Sequence, residues 1–202
     1  MSIMILDWPE TVIPNTLSWQ LISNSKTFTS VFNGSSQTVR FPGSRWRCVL
    51  TFNILTDEKA RLLESLIARL DGESGRVRLF DWARPGLMGM GSPYPKVSAA
   101  NQLGRSLNTD GWQPNRRVLR QGDYLTVGNE LKMATGDVVS NNAGMAIIPI
   151  SPMLRYSPGL HDKIETEQPF GIFRQTGNDQ GNFQRKPGIF TSTSLSFEEA
   201  LF

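Results

Sequence analysis

The 202 residues carry 21 Lys and Arg against 18 Asp and Glu, a formal charge of +3, and 39% of them are hydrophobic. With 19% charged residues and a mean hydropathy of -0.28, the composition excludes a disordered chain and one built on membrane spans. The positive charge is dispersed, whereas a nucleic-acid binder concentrates it on one element.

The N-terminal segment to about Asn24 is apolar and broken by prolines, with Trp8-Pro9 and Ile13-Pro14 ahead of Trp19. Pro9 and Pro14 argue against a helix and a central strand, which predicts an extended arm or edge strands. The first nine residues lack a basic n-region and reach Asp7 and Pro9 too early for a signal peptide, so synthesis in the cytoplasm is expected. An apolar arm must lie on its own sheet or on a neighbouring subunit. Ile5, Leu6, Trp8 and Ile13 are the candidate interface residues it supplies. On that reading, a chain without residues 1–15 folds but assembles poorly.

From Phe28 the pattern is strand-like, with a turn at Asn33-Gly34-Ser35-Ser36, a strand over 37–41 and a break at Pro42-Gly43. Trp46, Cys48, Leu50 and Phe52 then alternate with Arg45, Arg47, Val49 and Thr51, which predicts a strand with one core face. A helix is predicted over 56–71: Thr56 suits the N-cap, and Asp57 and Glu58 put negative charge in the first turn. Leu62, Leu63, Leu66, Ile67 and Leu70 form its apolar stripe, and Asp71-Gly72 ends it. Gly75 to Phe80 reads as the next strand.

Residues 83–95 are rich in Gly, Pro and Met, the composition of a long loop or a boundary. Met88, Met90 and Tyr94 are candidate interface residues there, methionine being an adaptable contact residue. Short strands follow: Tyr124–Val127 and Glu130–Met133 flank the hairpin pair Gly128-Asn129, and Asn141–Gly144 feeds a strand over 145–150. Pro152 and Pro158 close this stretch, so 96–157 is expected to be a small all-β insert. Strands over 170–176, 183–184 and 189–197 are expected to return to the first sheet.

Catalytic chemistry finds little material. His161 is the single histidine and sits in turn-forming company, and Cys48 is the single cysteine, placed for burial as a small hydrophobe. Gly86-x-x-Gly89-x-Gly91 lacks the Lys-Ser/Thr of a phosphate loop. Asp123, Asp137 and Asp179 stand among turn formers. The chain is expected not to be an enzyme and to need no cofactor or metal. A candidate basic surface comprises Arg45, Arg47, Arg76, Arg78, Arg116, Arg117 and Arg120. At i, i+2 spacing, the first two pairs share a strand face, either a solvated or intersubunit face or a phosphate-binding stripe. Trp112, Tyr124 and Tyr156 could offer stacking surfaces to a glycan, or simply fill a core and cap turns.

Several motifs occur in order along the chain. These are Phe28-x-x-x-Phe32-x-Gly34-x-x-Gln37-Thr38, Phe41-Pro42-Gly43-x-x-Trp46, and Val97-x-x-Ala100-x-Gln102-x-Gly104-x-Ser106-Leu107 with Gly111-Trp112. Leu119-Arg120-x-Gly122-Asp123-Tyr124 and Ile150-x-Pro152-x-Leu154-Arg155 complete the set. Together they resemble the minor tail proteins of tailed bacteriophages. The resemblance implies a virion protein of the distal-tail type, forming a ring (by family analogy a hexamer) that joins the tail tube protein to hub and fibre proteins. It also implies a mainly β fold: a tube-like β-sandwich or split barrel from 1–95 and 158–202 with one flanking helix, plus the inserted β domain. No membrane partner is expected, and nucleic acid would be met only in passage through the lumen. The alternative is a tail-tip binding module whose insert docks a fibre or a host-surface glycan.

Overall fold

Alternating apolar residues and proline breaks produce a chain of short strands, and the computed structural model describes residues 4–92 and 94–201 of it. The strands are β1 (Ile5–Asp7), β2 (Thr16–Ile22), β3 (Ser25–Thr29), β4 (Ser36–Arg40) and β5 (Arg45–Leu55). Helix α1 (Asp57–Leu70) and β6 (Arg76–Leu79) follow. Then come β7 (Lys96–Val97), β8 (Gly104–Asp110), β9 (Arg117–Leu119), β10 (Tyr124–Val127), β11 (Glu130–Ala134), β12 (Val138–Val139) and β13 (Ala146–Leu154). The chain returns through β14 (Gly171–Gln175), β15 (Gln184–Lys186) and β16 (Phe190–Glu199). The fold is mainly β, with a single α-helix among the described residues and a main sheet curled into a half-barrel.

That sheet has the order β1-β6-β14-β16-β5-β2, with β15 beside one end of β16. All its pairings are antiparallel except β1 with β6. β5 organises it. Trp46, Cys48, Leu50 and Phe52 are buried, and each apolar side chain taken from water contributes about 1.5–3 kcal/mol. The helix covers this face with Ala60, Leu63, Leu66 and Leu70, while Leu62 of the predicted stripe faces solvent. Thr56 holds the N-cap position, but its hydroxyl makes no capping hydrogen bond.

The N-terminal arm is part of this core. Trp8 packs against Phe52, Trp82 and Phe197 with ring centroids 6.1, 5.5 and 6.1 Å away, and its Nε1–H donates to Val12 O at 2.7 Å. Leu6, Trp8 and Val12 are all buried. A deletion of 1–15 would strip one wall of the core, which argues against the expectation that such a chain still folds.

The second sheet has the order β10-β11-β13-β8-β7, with the β9–β12 pair beside it and a core of its own around Leu107, Trp112, Leu125, Ile148 and Ile164. Gly128 and Asn129 both take positive φ, 56° and 65°, as a tight hairpin between β10 and β11 requires. β13 runs through Pro149 and Pro152 to Leu154, beyond the end expected from proline content. The insert also extends past 157. Val97 N–H donates to Asp162 O, Ile164 N–H to Pro95 O, and Thr126 and Glu165 exchange a pair of backbone bonds.

The two sheets meet at a shared seam. Tyr124, Leu131 and Met133 of the insert pack into the first core, and Trp46 Nε1–H donates to Leu131 O at 3.0 Å. Within the seam lies a buried set of four charges, Glu130, Lys132, Arg155 and Glu199.

Candidate functional site

β2 and β5 pair from Thr16↔Thr51 to Ile22↔Arg45, and the same two-stranded ribbon continues past the sheet edge as β3 and β4. The two parts are joined at a bulge. Asn24 spans it, its Nδ2 donating to Pro42 O at 2.6 Å and its carbonyl accepting from Phe41 N–H at 2.8 Å. Beyond the bulge the ribbon leaves the body: every residue of β3 and β4 is exposed except half-buried Val39.

Opposed residues of an antiparallel pair share a face. One face of the arm is hydroxyl-rich, with Thr27 Oγ1 and Thr38 Oγ1 2.8 Å apart. The other carries Phe28 and Val39, with Lys26 Nζ 5.3 Å from the Phe28 ring centroid. At the tip, Ser30 N–H donates to Ser35 O and Gly34, at φ 69°, returns its N–H to Ser30 O. Only this positive φ lets the turn close, and glycine adopts it without strain. The turn holds Val31 and Phe32 outward, 91% and 96% exposed. Sequence reading did not single these two out as contact residues. A usable signal exists, since no acidic residue lies between Glu10 and Asp57, so the whole ribbon is neutral or basic.

The Met-rich loop is anchored rather than slack. The buried carboxylate of Asp123 accepts N–H bonds from Met88 (2.8 Å), Gly89 (3.0 Å) and Arg120 (2.8 Å). Met90 and Gly91 donate to the carbonyls of Arg117 and Val118. At Gly89 any Cβ would lie 2.4 Å from Val118 O, so only glycine allows the close approach. Asp123, read from sequence as an ordinary turn aspartate, is what fixes the loop. Met88, Met90 and Tyr94 project from it into solvent.

Of the other candidate interface residues, Ile13 is exposed and Ile5 is half-buried in β1. Leu6 and Trp8 are core residues and leave the interface set, because the parallel pairing of β1 with β6 turns them inward.

The candidate basic surface is largely spent on ion pairs and carbonyls. Arg45 and Arg47 reach Glu198 at 3.1 and 3.2 Å, and Arg174 joins the same carboxylate while also meeting Glu73. Arg76 donates to the carbonyls of Glu73, Ser74 and Gly75, closing the turn after α1. Arg78 pairs with Asp7 at 2.6 Å and Arg117 with Asp137 at 3.6 Å. Arg116 and Arg120 have no ion pair among the described residues. On the first two pairs Glu198 holds Arg45 and Arg47, the helix-end carbonyls hold Arg76 and Asp7 pairs with Arg78, which argues against a phosphate-binding stripe there.

Burial alone would raise the Glu198 pKa, but hydrogen bonds from Arg45 and Arg47 and the Arg174 charge outweigh it and hold it below its ordinary value. At the seam, Glu199 accepts from Trp46 N–H, Leu131 N–H and both terminal nitrogens of Arg155, and Arg155 Nε–H donates to Glu130 at 3.1 Å. Lys132 is fully buried against Glu130 and Met153 O, and burial lowers its pKa. Two carboxylates and two cations cancel, as burial demands.

The stacking trio separates. Trp112 is buried with its Nε1–H on Thr109 Oγ1, Tyr124 packs edge-on against Trp46 at 5.5 Å, and only Tyr156 is exposed. Cys48 is buried, and burial with the nearby Asp81 charge pushes its thiol pKa far up. His161 lies on an exposed turn at φ 68°. Among the described residues no helix is long and apolar enough to cross a membrane, and no group of three His, Cys, Asp or Glu side chains is placed to hold a metal. No protein-family model matches this chain, and no curated protein matches it either.

Proposed function

We propose that this chain is a structural subunit of a bacteriophage tail, a distal-tail-type protein whose copies close into a ring at the tail tip. In that role it joins the tail tube protein to hub and fibre proteins in the virion, with a hexamer expected from the family resemblance. One observation carries the assembly part of the reading: an open half-barrel sheet continues into a ribbon arm that buries almost nothing in its own chain.

A two-stranded ribbon alone is marginal in water, and edges with no partner strand among the described residues, such as those of β1 and β2, are templates for another chain. Copies of the same chain supply both the strand edge and the apolar surface that these features require. The ordered motifs, not the fold, give the tail assignment; fold alone does not imply function.

Light scattering and negative-stain imaging of the full-length protein test this reading. Closed rings with an open lumen are expected, and a protein that stays monomeric as its concentration is raised overturns it.

A further inference from the structure

We infer that the arm tip of one copy seats in the cleft beside the Met-rich loop of the next copy, and that this is the head-to-tail contact of the ring. The inference rests on the assembly reading above and adds where the copies touch.

Val31 and Phe32 stand almost fully in solvent on a turn whose backbone is hydrogen-bonded, so they are presented rather than collapsed. A contiguous apolar point of this kind marks an interaction site. The receiving cleft, about 390 Å³, is lined by Leu87, Met90, Gln113, Thr166 and Glu167. Its loop wall is pre-formed by the Asp123 anchor and by the close seating of Gly89. Methionine and leucine suit an aromatic side chain, the thioether making favourable contacts with a ring.

Charge does not oppose this contact. The tip itself, residues 30–35, is uncharged and meets the exposed carboxylate of Glu167 without like-charge repulsion.

Placement separates the two parts within one molecule. The arm root faces Arg105 and Ser151–Met153 at one end of the β8–β13 ladder, and the cleft lies beside Gln113, past the other end of β8. About 20 Å of strand lies between them at the usual rise per residue. Two different surfaces at opposite ends of an element give a heterologous contact, which closes into a ring when the rotation permits.

Mixing full-length Val31→Cys, which keeps Phe32, with full-length Met90→Cys under mild oxidation tests the contact, since Cys48 is buried and stays out of exchange. One variant carries a mass label, so that mixed and like pairs separate. The mixed disulfide is expected to exceed either like pair by roughly tenfold, because a formed contact raises the effective thiol concentration. Predominance of the Val31→Cys like pair, or no disulfide while the unsubstituted protein still forms rings, overturns the docking site and leaves the ring standing. An unsubstituted protein that forms no ring overturns both.

Discussion

Glu199 accepts from the backbone of Trp46 in one sheet, from the backbone of Leu131 in the other, and from the guanidinium of Arg155. Removing Arg155 alone would leave the buried Glu199 carboxylate without a cation in the seam, while Glu130 keeps Lys132. Arg155→Met is therefore expected to cost about 3–5 kcal/mol in urea unfolding, well above the cost at an exposed ion pair. Glu198 gives a pH signature. Its carboxyl titrates below the ordinary value of 4.5 in the folded chain, so its contribution is full above pH 4.5 and is lost as pH falls through the folded value. The thermal stability of the unsubstituted protein should fall below that pH. Glu198→Gln should start less stable at neutral pH and show a shallower acid slope; equal slopes would remove Glu198 from the account. Trp8→Ala should cost about 3–5 kcal/mol as a large aromatic deletion from a core, whereas an interface role for Trp8 would leave the monomer's stability unchanged.

At the level of elements, the Met-rich loop depends on one carboxylate. Asp123→Ala removes three charge-assisted hydrogen bonds and should cost about 2–4 kcal/mol. Amide exchange should rise across 86–91, and unchanged protection there would show that Asp123 does not hold the loop. The local elements were legible because their signals are local. Alternation in β5, the leucine spacing of α1 and the Gly128-Asn129 turn each report on a few neighbouring residues. What could not be read are relations between distant segments. That β1 lies parallel to β6, turning Leu6 and Trp8 inward, depends on a partner about seventy residues away. That Arg45, Arg47 and Arg174 converge on Glu198 needs the β16 register, so dispersed arginines looked like an open basic face. The insert boundary moved for the same reason: residues 161–165 pair back onto β7 and β10, and no composition shift announces that.

For the molecule as a whole, the seam and the arm divide the work. The four-charge set and the Trp46–Tyr124 contact fix the insert against the half-barrel, so the loop cleft and the root of the arm hold set positions relative to each other. A subunit that builds a closed ring needs such fixed geometry, because any error in the angle between its two contacts accumulates around the circle. The most direct test of the central claim is native mass spectrometry of the full-length protein beside Phe32→Asp. The unsubstituted chain should give a single closed oligomer, and the variant should give folded monomer with an unchanged circular dichroism spectrum. A monomer in both samples, or the same oligomer in both, would contradict the account.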